Sequence, residues 1–147
     1  MKTCYQIVNK INKDKIIDYI SLSYDQRFVR RKKLVSDNGT EFLVNLSETK
    51  SLIHNQAFKL EDEKLIVIVS NKEELIEITG NNLMQLIWHI GNRHMPCQIE
   101  SKRILIQNDI VIREMILKLG GTIRNVLEPF NPEGGAYGDT RTTGHQH

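Results

Sequence analysis

The chain has 147 residues, room for one ordinary domain or for two small ones. With 39% hydrophobic and 26% charged residues it has the balance of a folded globular protein, which excludes a disordered chain, a collagen-like rod and a coiled coil. A net charge of +2 advertises no binding to nucleic acid or acidic membranes by the chain as a whole, so such a role needs a local patch.

The first residues, Met1 to Tyr5, lack the hydrophobic region of a signal peptide, and the apolar run Leu65 to Val69 is too short to cross a bilayer; the expected location is the cytoplasm. Cys4 and Cys97 have no CxxC partner and read as buried or incidental thiols. Ser21 to Tyr24, Lys33 to Val35 and Glu41 to Leu46 read as short strands. Asp37-Asn38-Gly39 accepts the positive φ of a tight turn, which predicts a hairpin over residues 33–46. The branched run Leu65 to Val69 predicts a buried strand that closes a β-rich first domain, residues 1–71. The polar stretch Ser70 to Glu74 marks the boundary, and residues 72–147 form the second domain.

In that second domain Leu75 to Ile78 reads as a strand, and Asn81 or Asn82 caps a helix carrying Leu83, Leu86, Ile87 and Ile90 at helical spacing. Cys97 to Ile99 and Ile104 to Ile106 predict a hairpin. Asp109 caps a second helix with Ile112, Met115, Ile116 and Leu119 on one face, ended by Gly120-Gly121. A last strand spans about Thr122 to Leu127. The predicted class is α+β: a β-rich domain, then a ferredoxin-like βαββαβ domain with two helices on one face of an antiparallel sheet. From about residue 130 the composition turns to Pro, Gly, Asn, Asp and Thr, which predicts a loose, disordered tail.

Five histidines are candidate ligands: His54, His89, His94, His145 and His147. His94 lies four residues after Ile90 and eleven after Leu83, so at about 100° per residue it falls near the middle of the same apolar stripe, as a core or capping histidine or as a ligand facing a partner; position alone does not decide. Met84 and Trp88 widen the apolar arc, which implies either packing on the first domain or a dimer that brings two copies of one histidine together. In an extended segment His145 and His147 project to one side and can reach one ion. Neutral imidazole suits zinc, copper and nickel. His89 is turned about 140° from His94 on an ideal helix, and His54 reads as ordinary surface. The basic run Arg27, Arg30, Arg31, Lys32 and Lys33 reads as a charged edge strand, or alternatively as the patch of a nucleic-acid-binding module. There is no Walker glycine loop, GxSxG, HExxH or deaminase motif, and no base paired with an open metal site, so the chain is expected not to be an enzyme.

Trp88-His89-Ile90-Gly91-Asn92-Arg93-His94 followed by Pro96 closely resembles the signature of the UreE family, urease accessory proteins that act as nickel metallochaperones. Glu128-Pro129-Phe130, Pro132 to Tyr137 and the terminal Gly144-His145-Gln146-His147 extend the likeness. The resemblance implies a homodimer whose first domain binds peptides or partners and whose second domain holds Ni2+ between the chains. It maps the interfacial ligand onto His94 of each subunit and the tail ligands onto His145 and His147, with His89 an accessory position. It also implies delivery to the accessory GTPase UreG and the urease apoprotein complex, with zinc or copper as competitors. Two departures stand out. Only two histidines end the chain, which sets bulk nickel storage aside, and Ile53 to Gln56 lacks the Gly-Asp turn that the resemblance leads one to expect there.

Overall fold

The computed structural model describes residues 1–134, and the chain divides into two compact units between Asn71 and Lys72. The first unit is a six-stranded sheet of β1 (Lys2–Val8), β2 (Ile16–Leu22), β3 (Phe28–Val35), β4 (Glu41–Ser51), β5 (Ala57–Leu60) and β6 (Leu65–Ser70). Its order is β2-β6-β5-β1-β4-β3. The β1/β4 and β2/β6 pairs are parallel and the others antiparallel. β6 explains why a continuous apolar run was needed: Ile66 and Ile68 enter the main core, while Leu65 and Val67 pack with Ala57 in a second cluster. Both faces of that strand are covered, so alternation disappears.

The predicted hairpin joins β3 to β4, with Leu34 opposite Phe42, Val35 opposite Glu41 and Gly39 at φ +99. The strand expected at Ser21 to Tyr24 lies earlier, because Gln26 Oε1 accepts the Ser23 amide at 2.9 Å and turns the chain into a 3-10 helix at Asp25–Arg27. In the Ile53 to Gln56 turn Asn55 takes φ +71, the left-handed conformation a glycine would supply, and asparagine tolerates it.

A buried carboxylate ties the hairpin to β2. Asp18, 4% exposed, accepts the Ser36 hydroxyl, the Tyr19 amide at 2.7 Å, and the Asn38 side-chain and main-chain N–H groups at 2.8 and 3.1 Å. Burial pushes this carboxyl up, but the hydrogen bonds from Ser36, Tyr19 and Asn38 outweigh it and hold it at about 2. Asp18→Ala strands these donors and is expected to cost roughly 2–3 kcal/mol in urea unfolding. Because the folded value is depressed, the ionised Asp18 stabilises the wild type fully above the ordinary carboxylate range. That contribution is lost as pH falls from about 4 through about 2, and the variant should lack this portion of the acid transition.

The second unit runs β7 (Lys72–Thr79), α1 (Leu83–Asn92), β8 (Gln98–Ile99), β9 (Ile104–Gln107), α2 (Ile110–Lys118) and β10 (Thr122–Pro129). Its sheet order is β10-β7-β9-β8, with every neighbour antiparallel. Leu86 and Ile90 of α1 and Ile112 and Ile116 of α2 join Ile76, Ile78, Ile104 and Ile106 in one core, so both helices cover the same sheet face. Asp109 caps α2 by accepting the Ile112 amide at 2.9 Å.

Of the tail expected from about residue 130, residues 130–133 are held to the domain, and residues 135–147 lie outside the described residues. Pro129 belongs to β10, Phe130 is fully buried, the Asn131 amide donates to Gln98 Oε1 at 2.8 Å, and the Glu133 amide donates to the Cys97 carbonyl at 2.9 Å. A single aromatic side chain outweighs a polar, Pro-rich neighbourhood. Gln98 also donates to Glu100, and Glu100 is held with Glu77 and Glu128 by Arg103. This clasp keeps residues 131–133 beside the strand that follows His94.

Candidate functional site

The site begins with α1. Asn82 Oδ1 accepts the Gln85 amide at 3.1 Å and starts the helix. Leu86 and Ile90 are buried, whereas Met84 and Trp88 on the opposite side are 82% and 65% exposed. The sequence of α1, LMQLIWHIGN, carries no Asp, Glu, Lys or Arg. The exposed face of this helix is thus uncharged and bears a tryptophan and a methionine.

His94 does not continue that helix, which corrects its placement on the apolar stripe. The helix ends at Asn92 with Arg93 as its cap; His94 donates its amide to Gly91 O at 2.9 Å and Met95 donates to Ile90 O at 3.3 Å. This pair of bonds is a Schellman motif, in which the residue after the cap takes a left-handed conformation and is usually glycine. His94 occupies that position at φ +58. The end of α2 uses the same motif with the expected residue: Gly120 at φ +84 donates to Leu117 O, and Gly121 donates to Ile116 O. For a residue with a Cβ the left-handed region costs about 1 kcal/mol. Asn55 and Glu63 take the same left-handed region at φ +71, but His94 alone of the three closes a helix with it. Met95 packs on the core, and His94, just past the helix end, is half-buried.

The remaining candidates are dispersed. His89 is half-buried, edge-on to Trp88 with ring centres 5.0 Å apart, and lines a groove with Glu114 and Lys118 of α2. His54 is exposed, yet its Nδ1 accepts the Ser70 amide at 3.0 Å. His145 and His147 lie outside the described residues. Among the described residues no three His, Cys, Asp or Glu side chains gather as a metal site. Both cysteines are free. Burial pushes the Cys97 thiol up, and the charge of Glu133 adds to this.

The basic run also divides. Arg27 is 2% exposed, donates to the Leu22 carbonyl at 2.9 Å and lies 5.8 Å from the Tyr24 ring centre, so it belongs to the core and not to a surface patch. Arg30 to Lys33 stand on β3, an edge strand, where Lys33 pairs with Glu41 at 2.8 Å and Arg31 donates to Asn45 at 3.0 Å. The nucleic-acid alternative is not favoured by this arrangement. Helical spacing alone missed the break before His94, and the signal that could have found it was Gly91-Asn92 followed by Pro96, a helix stop.

Comparison with known proteins gives this geometry its context. Residues 5–70 match the family model "UreE urease accessory protein, N-terminal domain", and residues 73–147 match "UreE urease accessory protein, C-terminal domain". The paired matches define a two-domain α+β urease accessory protein. The chain is 55% identical over 130 residues to the urease accessory protein UreE of Ruegeria pomeroyi, covering 88% of this chain and 87% of that one. It is 49% identical over 130 residues to that of Rhodobacter capsulatus, covering 88% and 83%. It is 49% identical over 128 residues to that of Cereibacter sphaeroides, covering 87% and 70%. The chain belongs to the UreE family, and its role lies in urease maturation.

Proposed function

We propose that this protein carries Ni2+ as cargo, held between two copies of the chain and delivered for assembly of the urease active site. The observation that carries the reading is His94, set in the glycine position of a Schellman motif just past the end of α1, whose exposed face is uncharged. A two-fold axis on that face sets each residue against its own copy, which charged side chains would resist and Trp88 and Met84 favour. One histidine then becomes two. The element order of the second domain and its sheet order β10-β7-β9-β8 support a ferredoxin-like frame for this site.

The donor set fits nickel: imidazoles, with no group of His, Cys, Asp or Glu among the described residues placed to hold a hard cation, since Glu77, Glu100 and Glu128 are taken up by Arg103. His94 of each copy would bind the ion, and His145 and His147 would close over it. Zinc and copper are natural competitors. The chemistry is ligand exchange, not catalysis: few ligands hold the ion until a partner's ligands replace them, and protonation of imidazole assists release. The recipients in this reading are the GTPase UreG and the urease apoprotein complex in the cytoplasm, with the first domain as the partner-binding module.

A chain ending at Gly134 tests the part played by the terminal histidines. Calorimetric nickel titration is expected to show affinity at least about tenfold weaker, since tethered ligands act at high effective concentration, with the oligomeric state unchanged. Undiminished affinity would remove His145 and His147 from the site.

A further inference from the structure

Among the described residues Gly91 shows neither the positive φ nor the close contact that makes a glycine necessary. Gly39 and Gly120 adopt positive φ, and a Cβ on Gly121 would come within 2.6 Å of Ile116. Gly91 has ordinary helical φ, and a Cβ built there meets nothing within 4 Å. A glycine inside a helix is unfavourable relative to alanine, so the position bears a cost that no contact among the described residues requires. At about 100° per residue Gly91 shares the exposed face of Met84 and Trp88, one turn before His94.

We infer that Gly91 is the close-approach point of this face, kept without a side chain by a second copy of this chain packing against the helix backbone. The inference rests on the shared-ion reading above and names a residue that makes the sharing possible. Two imidazole nitrogens on one first-row metal ion lie within about 4 Å of each other, so a shared ion brings the two copies of His94, and the helix ends that carry them, to one point. A Cβ at Gly91 would hold the copies apart beside that point. A second copy fits better than an acidic or basic partner, because α1 has no Asp, Glu, Lys or Arg to recognise one and nothing to repel its own image. Gly91 is thus a positioning residue for the metal, not a ligand.

The test is Gly91→Ala with Gly91→Leu, each followed by thermal unfolding of the dilute monomer, mass in solution and nickel titration. Both should unfold at or above the wild-type temperature, because both residues favour helix. The dimer dissociation constant should rise at least about tenfold for alanine and further for leucine, with tight nickel binding lost in step. This opposition of signs separates an interface role from a structural one. Wild-type dimerisation and nickel binding in both variants would overturn the inference, as would a lower unfolding temperature with the dimer intact. A wild-type protein that stays monomeric or binds no nickel would instead overturn the functional reading.

Discussion

Replacing His94 with glycine is expected to change the stability of the fold by no more than about 1 kcal/mol in either direction, while nickel affinity falls at least about a hundredfold. The two effects arise from different atoms. Glycine removes the roughly 1–2 kcal/mol strain of a Cβ at φ +58, and returns part of that gain through the greater freedom of the unfolded chain. The imidazole is lost from both subunits at once. His94→Ala should lose nickel to the same degree but without the relief of strain, since alanine keeps the Cβ. Thermal unfolding of the apo-protein and nickel calorimetry on both variants check this. A glycine variant that unfolds well below wild type would mean that His94 is a structural residue after all.

Phe130→Ala is expected to destabilise the second domain by roughly 3–5 kcal/mol, the cost of deleting a fully buried phenylalanine. That is a large share of the roughly 5–15 kcal/mol that holds an ordinary domain folded. Phe130 sits just past β10 and just before the amides of Asn131 and Glu133, which bond to Gln98 and Cys97. Its loss therefore also frees the segment that begins the C-terminal stretch. Urea unfolding measures the effect; Phe130→Leu, which keeps most of the apolar volume, should cost less than about 1.5 kcal/mol. An alanine variant as stable as wild type would mean that residues 130–133 contribute little to the domain.

Much of the second domain was legible because its signals are local. Asn82 and Asp109 cap, Gly120 stops, and isoleucine and leucine recur at helical spacing, so the order β-α-β-β-α-β could be read directly. The hairpin around Gly39 was legible for the same reason. β1 and β5 were not read: in β1 only Cys4 is buried, and its neighbours β4 and β5 lie dozens of residues away, so pairing and not pattern makes it a strand. Phe130 was hidden by its polar neighbours, and Arg27 by the basic residues that follow it, since burial is decided by tertiary partners. At the site, the family motif brought His94 forward, but its conformation was not legible. A helical wheel assumes the helix continues, and the reversal at Gly91 to Met95 depends on main-chain bonds that side-chain periodicity does not report. The terminal histidines lie outside the described residues, and their part rests on chemistry and resemblance.

The most direct test of the shared site is nickel titration of the wild-type apo-protein with its solution mass measured in the same samples. A two-fold site predicts dimers that take up about one tight nickel ion per two chains, with His94→Gly showing none. One tight ion per chain on a monomer, or tight binding that survives in His94→Gly, would contradict it.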